Sequence, residues 1–269
     1  MKIFISDIDS TIYSHNNNKI CDRTLKALHQ LQKSDHLIVY ATARVLYGMK
    51  EILTTYDLID DKTYIIGSNG SEIVKANDFD NYLYHDIFSI DTVRLLEELS
   101  FKYHCNLVLE QKDTLLTNGY DQYIDEDRKC LPIKVLVTNS VFDEFSLVTS
   151  KISLTTTKER RDDVYEDLVS NYNHLFTATK AGDGYIDITP LNNNKLSGVK
   201  HLLDHLNLSM KDVYYIGDNH NDLEMIKSSY VGGCVGNGEQ CCLDVADFQA
   251  LSCEDGGVGQ FIEKYLLND

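Results

Sequence analysis

Four short apolar runs, each stopping at a polar residue, constrain this 269-residue chain more than any other feature. Ile3-Phe4-Ile5 runs into Ser6 and Asp7, and Leu37-Ile38-Val39-Tyr40 into Ala41 and Thr42. Tyr64-Ile65-Ile66 ends at Gly67-Ser68-Asn69, and Val213-Tyr214-Tyr215-Ile216 at Gly217-Asp218. Continuous apolar runs, as opposed to alternating ones, mark strands buried on both faces, which is the habit of parallel sheets. Between them lie helical patterns. Leu25, Leu28 and Leu31 share one face of a helix that Asp22 is expected to cap, and residues 45–56 read as a second helix. Leu196, Val199, Leu202, Leu203 and Leu206 line a third. Such alternation predicts an α/β chain of right-handed βαβ units around an open parallel sheet.

The texture changes in the middle. Residues 82–88, 105–109, 133–137, 151–155 and 185–188 look strand-like, and 91–103, 141–148 and 161–168 helical, with polar loops such as 121–129. This predicts an inserted α+β domain over 82–188, leaving 1–81 and 189–269 as the core. Residues 13–19 read as a loop, 231–235 as a further short strand, and 258–267 as a closing helix.

Charge and cysteine content narrow the partners. A formal net charge of −17 argues against nucleic acid or an anionic membrane, so an anionic substrate needs a local cation or a metal. No apolar run is long enough to span a bilayer, and the N-terminus enters a strand directly, so neither an anchor nor a signal peptide is expected. Seven Cys, an odd number in a chain too long to need staples, fit free thiols in a reducing cytoplasm. A cytoplasmic monomer or small homo-oligomer is the expectation.

Function is read from where the polar residues fall. Asp7, Asp9, Thr42, Asn69 and Asp218 all follow apolar strand-like runs. In open α/β sheets, ligands bind beyond the carboxyl ends of the strands. Asp7 and Asp218 would make an oxygen-rich pocket suited to Mg²⁺. Thr42 and Lys195 add a hydroxyl donor and a cation, the groups that grip a phosphate. Together they point to metal-assisted phosphoryl transfer.

Four motifs in order carry a resemblance. Asp7-Ile8-Asp9-Ser10-Thr11 matches D-x-D-x-T, followed by Thr42 within residues 41–44, then Lys195, then Gly217-Asp218-x-x-Asn221-Asp222 for G-D-x-x-N-D. The Ser68-Asn69-Gly70 turn and the tail Glu254-Asp255-Gly256-Gly257-Val258 agree. The chain resembles the haloacid dehalogenase (HAD) superfamily, in its Cof-type or IIB branch, over essentially its whole length. The resemblance implies a Rossmann-like core with a C2B-type α+β cap, and a Mg²⁺-dependent phosphatase acting on small phosphomonoesters such as sugar phosphates. It makes Asp7 the nucleophile and Asp9 the general acid and base, with an aspartyl-phosphate intermediate. Mg²⁺ would be held by Asp7, Asp218 and the Asp9 carbonyl, with Asn221 and Asp222 as direct or supporting groups. Thr42 and Lys195 would hold the phosphoryl oxygens, with Asn69 and Asn221 at the edge of that pocket. A phosphosugar mutase and a non-catalytic phosphate sensor are the alternatives.

Three residues depart from the family pattern. Ser10 stands where Gly is frequent, Ala43 replaces a Gly so that its turn must avoid positive φ, and Leu196 follows Lys195 in place of Gly. Other constellations read as structural. Arg44 looks like a structural or surface residue. His201 and His205 lack the Glu of a zinc-protease motif, and the cysteines lack C-x-x-C spacing.

Overall fold

The computed structural model describes residues 1–111, 114–130, 134–144 and 149–267. Two compact units result, one of Met1–Tyr84 with Asn194–Asp269 and one of His85–Asn193.

The first unit is built on an eight-stranded sheet. Its strand order is Phe248–Gln249, Val231–Cys234, Val213–Gly217, Ile3–Ser6, Leu37–Ala41, Thr63–Gly67, Glu72–Lys75 and Asp78–His85. The first six strands run parallel, and Glu72–Lys75 returns antiparallel beside Thr63–Gly67. Alternation along Ile3–Ser6 sends Phe4 to one side and Ile3 and Ile5 to the other. Phe4 packs with Leu28 and Leu31 of helix Asp22–Gln32 and with Phe261 and Ile262 of helix Gly257–Tyr265. Ile3 and Ile5 pack with Val199, Leu202 and Leu203 of helix Lys195–Leu206 and with Met225 and Ile226 of helix Leu223–Ser228. Both faces are therefore covered, as the unbroken apolar runs require, and only the strand ends are left for polar chemistry.

The second unit is a six-stranded sheet ordered Lys134–Val137, Thr114–Thr117, Asn106–Gln111, Ile152–Thr155, Tyr185–Pro190 and Phe176–Ala181. Helices Ile90–Tyr103 and Lys158–Tyr172 cover one face, where Leu96 and Leu168 meet Leu107, Leu109, Ile152, Leu154, Ile186 and Ile188. Among the described residues, no helix of either unit is long and apolar enough to cross a membrane.

Several sequence expectations are corrected. Residues 121–129 are not a loop, for Gln122–Cys130 is helical. Asp121 Oδ1 accepts the Tyr123 and Ile124 amides, capping the helix, and both side chains are buried, so a charged stretch is anchored from its first turn. Asp22 is the first helical residue; the cap position belongs to Cys21. The 13–19 stretch contains a small hairpin, Tyr13–Ser14 against Lys19–Ile20. Strands Glu72–Lys75, Thr114–Thr117 and Phe176–Ala181 were not foreseen. The helix expected at 141–148 is described as Val141–Glu144, and 145–148 lie outside the described residues, as does 133 of the expected strand 133–137. The division between the units also falls later than 81/82 and 188/189. Strands Asp78–His85 and Tyr185–Pro190 run through those points, and Asn193 Nδ2 is tied to Asp86 Oδ2 at 2.7 Å. Asn194 instead caps helix Lys195–Leu206, where its side chain accepts the Ser197 amide.

Candidate active site

The parallel register brings the strand ends together. Ser6 pairs with Tyr40 on one side and with Ile216 on the other, so the residues following each strand emerge side by side. The Asp7 amide donates to the Ile216 carbonyl at 3.1 Å, extending that pairing one residue beyond the strand.

Around Asp7 lies a buried cluster of charge. One carboxylate oxygen from each of Asp7, Asp218 and Asp222 lies within 4.8 Å of the others. Lys195 Nζ, only 1% exposed, donates to Asp7 Oδ1 at 2.5 Å and to Asp222 Oδ1 at 2.6 Å. Burial alone would lower the Lys195 pKa, but the charges of Asp222 and Asp7 outweigh it and raise it. Thr11 Oγ1 donates to Asp218 Oδ1 at 2.7 Å. Burial pushes the Asp7 carboxyl well above its usual range; Lys195 opposes this, and Asp222, Asp218 and Asp9 add to it. Burial and the charge of Asp222 push Asp218 up to about 6, against the Thr11 hydrogen bond and Lys195. Three carboxylates thus crowd one lysine, which bonds two of them.

Asp222 differs from the other two in having no oxygen to spare. Oδ1 accepts Lys195 Nζ and the Tyr215 hydroxyl at 2.5 Å, and Oδ2 accepts the amides of Asp218 at 2.9 Å and Asn219 at 3.0 Å. A Cβ on Gly217 would stand 2.5 Å from Asp222 Cγ, so only glycine lets this carboxylate fold back under the strand end. Asp222 therefore holds Lys195 and the Asp218 loop in place.

Thr42 and Asn69 meet through their backbones. The Asn69 amide donates to the Thr42 carbonyl at 3.1 Å, and Thr42 Oγ1 accepts the Arg44 amide at 3.1 Å. Thr42 is fully buried. Ser68, Asn69 and Gly70 have φ of 48°, 51° and 101°, three left-handed residues in succession. A Cβ on Gly70 would stand 2.2 Å from the Asn194 carbonyl oxygen, so this turn also seats the start of the helix that carries Lys195. Ala43 does not have positive φ. Asn221 Nδ2 donates to Asn69 Oδ1 at 3.3 Å, while Asn221 Oδ1 is buried with no hydrogen-bond partner.

Asp9 sits in a different environment. Arg44 grips it with two bonds, Nε to Oδ2 at 2.8 Å and Nη2 to Oδ1 at 2.6 Å, and His15 Nε2 approaches Oδ1 at 2.7 Å. Burial would raise this carboxyl, but the hydrogen bonds of Arg44 and His15, then their charges, hold it well below the usual carboxylate range.

Sequence reasoning missed three residues here. Arg44 was read as structural or surface, His15 lay in an expected loop, and Tyr215 was read only as part of a buried strand. Tyr215 did carry a signal, because a buried tyrosine hydroxyl normally needs a partner. For His15 and Arg44 the sequence offers none beyond residue type.

Residues 4–262 match the family model described as haloacid dehalogenase-like hydrolase. Among curated relatives, the 5-amino-6-(5-phospho-D-ribitylamino)uracil phosphatase YcsE of Bacillus subtilis is 22% identical, covering 99% of this chain and 96% of its own. The HMP-PP phosphatase of Yersinia pseudotuberculosis is 25% identical over 97% of this chain and 93% of its own. Among solved structures, a haloacid dehalogenase-like hydrolase from Bacteroides thetaiotaomicron superposes with a TM-score of 0.89 at 21% identity, covering 98% of each chain. Agreement at that identity establishes the fold.

Proposed function

Because the chain belongs to the haloacid dehalogenase-like hydrolase family, we propose that it is a phosphatase that releases orthophosphate from small phosphomonoesters, sugar phosphates among them, through an aspartyl-phosphate. The observation that carries this reading is the buried trio Asp7, Asp218 and Lys195, in which one carboxylate is held by a lysine while a second crowds it. Such an arrangement is costly for stability alone, since like charges in a dry site oppose folding. It suits a nucleophile held at the mouth of a phosphate pocket.

In this reading Asp7 attacks phosphorus and the bond from phosphorus to the ester oxygen breaks, with Asp9 giving the departing oxygen its proton. Asp9 then takes a proton from water as the water oxygen attacks phosphorus, and the bond from phosphorus to Asp7 breaks. Lys195, paired to Asp7 Oδ1, keeps that carboxylate oriented and places a positive charge beside the transferring oxygens. Thr42 offers its hydroxyl, whose oxygen already accepts the Arg44 amide. Asp9 gripped by Arg44 and His15 is ionised, the form that takes a proton from water. To act first as an acid it must gain a proton, and each hydrogen bond that Arg44 gives up raises its affinity for one.

The residues fit a divalent cation. The donors are carboxylate and amide oxygens, the preference of Mg²⁺, and Asn221 Oδ1 is a buried acceptor left without a partner. Asp7, Asp218 and Asn221 would hold it, with Asp222 as the group that fixes their loop. When bound, it supplies the charge that lets an anionic carboxylate approach an anionic phosphate. We assign the second unit, with its separate core, to reading the leaving group.

The test is a panel of phosphorylated metabolites assayed for orthophosphate with added Mg²⁺ and with chelator. Release that depends on the metal is expected for part of the panel. Conversion of a sugar phosphate to its isomer without phosphate release would replace this reading with the mutase, and binding without turnover would replace it with the sensor.

A further inference from the structure

His15 follows the first strand of the small hairpin, and its position is fixed from several sides. Its ring packs edge-on against Tyr13, with centroids 5.6 Å apart at 75°. Its neighbours Ser14 and Asn16 both donate to Glu254 Oε1, at 3.1 Å and 2.8 Å, anchoring the hairpin tip on one carboxylate. Held this way, Nε2 meets Asp9 Oδ1 at 2.7 Å. An ionised carboxylate only accepts, so Nε2 carries the hydrogen.

Arg44 by itself would bind the two oxygens of Asp9 evenly, one bond to each. His15 breaks that balance: Oδ1 now accepts two donors and Oδ2 one. Oδ1, held by two donors, is the less able to move, so the histidine bond fixes how the Asp9 carboxylate is turned within the grip of Arg44. We propose that His15 is a positioning residue that orients Asp9 through its bond to Oδ1. This rests on the phosphatase reading, because it assigns Asp9 the proton transfer to the leaving oxygen. His15 also lines a cleft of about 210 Å³ with Ser10, Asn16, Asn237, Cys253 and Glu254, so its ring is accessible from outside the charged cluster. The side chain is 45% exposed, and its replacement removes little buried surface.

The experiment compares two esters that differ in their need for a proton. The p-nitrophenolate ion leaves without one, whereas the oxygen of phenyl phosphate needs help. The ratio of kcat/KM for the two reports the step in which the leaving group departs, before water enters. Positioning by His15 predicts that His15→Phe lowers kcat/KM for phenyl phosphate about tenfold further than for p-nitrophenyl phosphate. His15→Gln, which keeps a donor, should restore much of that ratio. In the Asp9→Asn background, adding His15→Phe should leave the ratio unchanged, since the group it positions is gone. Equal falls on both esters, or an additional loss in the Asp9→Asn background, would overturn the inference while leaving the phosphatase reading intact. A wild-type enzyme that hydrolyses neither the esters nor any of the metabolite panel would overturn both.

Discussion

Asp7 and Asp9 are separated by one residue, yet the fold places them in opposite electrostatic surroundings. Asp7 lies inside the cluster with Asp218 and Asp222, where burial raises its carboxyl pKa and one lysine partly offsets three negative charges. Asp9 lies where the chain turns away, between a bidentate arginine and a histidine, and its carboxyl is held low. The difference teaches that the strand end alone does not decide a carboxylate's role. Asp7 is made expensive to leave uncompensated, which agrees with the proposal that it meets a cation and a phosphate. Asp9 is satisfied by the protein itself, and the proposed proton transfer requires that grip to loosen.

The sharpest way to break this comparison is to put the same substitution at both positions. Asp7→Asn should reduce turnover by about 10⁴-fold or more if Asp7 is the nucleophile proposed above. It should hold or raise Tm, since it removes one of three crowded negative charges. Asp9→Asn should instead lower Tm, because the Arg44 guanidinium loses charge-assisted bonds of the sort worth about 1.5–3 kcal/mol. Thermal melts of the two variants side by side decide the matter. Substantial residual activity in Asp7→Asn, or equal falls in Tm, would remove the distinction.

Lys195→Met tests the buried side of the comparison. It leaves Asp7 and Asp222 without their shared cation in a site where the lysine is 1% exposed. Removing one partner of a buried ion network typically costs about 3–5 kcal/mol, read by denaturant unfolding. Adding Asp7→Asn to this variant should recover part of the loss. A cost below about 1 kcal/mol would show that the carboxylates simply take up protons without penalty.

Much of this was legible before any coordinates. Strands buried on both faces must be apolar throughout, so their ends stand out, and Asp7, Thr42, Asn69 and Asp218 were found by that contrast. Lys195 was found by its place before an amphipathic helix. The grip of Arg44 on Asp9 was not legible, because it joins residues 35 apart through side chains that sequence reasoning assigns to surface or solvent. Nor was the division of labour inside G-D-x-x-N-D. Asp222 shares a residue type with Asp218, and only the folded loop shows that both its oxygens are already taken. In the second unit, helix Gln122–Cys130 was hidden by its charges, and its capping depends on Asp121, whose other oxygen is held by Asn106 and Thr155, residues that face each other across two strands in a pairing that periodicity does not reveal.

A cation should act on one member of the pair and not the other. With Asp218 pushed up to about 6 from an ordinary 3.8, the folded cluster holds its proton more tightly than the unfolded chain does. Without metal this contribution is full at low pH and is lost as pH rises from about 4 through about 6. A divalent cation competes with that proton, so its stabilisation should appear over the same interval. Saturating Mg²⁺ should raise Tm by about 5 °C near pH 7.5 and by clearly less near pH 5. The pH dependence should vanish in Asp7→Asn with Asp218→Asn and persist in Asp9→Asn. A Mg²⁺ effect independent of pH would place the ion elsewhere.

The smallest expected effect concerns the residue immediately after Asp9. Ser10 has φ of 60°, its amide donates to the Tyr13 carbonyl at 2.9 Å, and its own carbonyl accepts Asn237 Nδ2 at 2.8 Å. The backbone is thus fixed in a left-handed conformation that costs an L-residue about 1–2 kcal/mol, whereas the loss of unfolded-state restriction in glycine costs about 0.5–1 kcal/mol. The difference favours Ser10→Gly by about 0.5–1 kcal/mol, or about 1–4 °C in Tm. Such a gain would show that the turn following Asp9 is held by its backbone bonds. A fall in Tm would mean that the serine side chain, which lines the cleft beside His15, contributes more than the strain it imposes. In that case the surroundings of Asp9 would be built by side chains as far as position 10, and the contrast with Asp7 would extend one residue further along the chain.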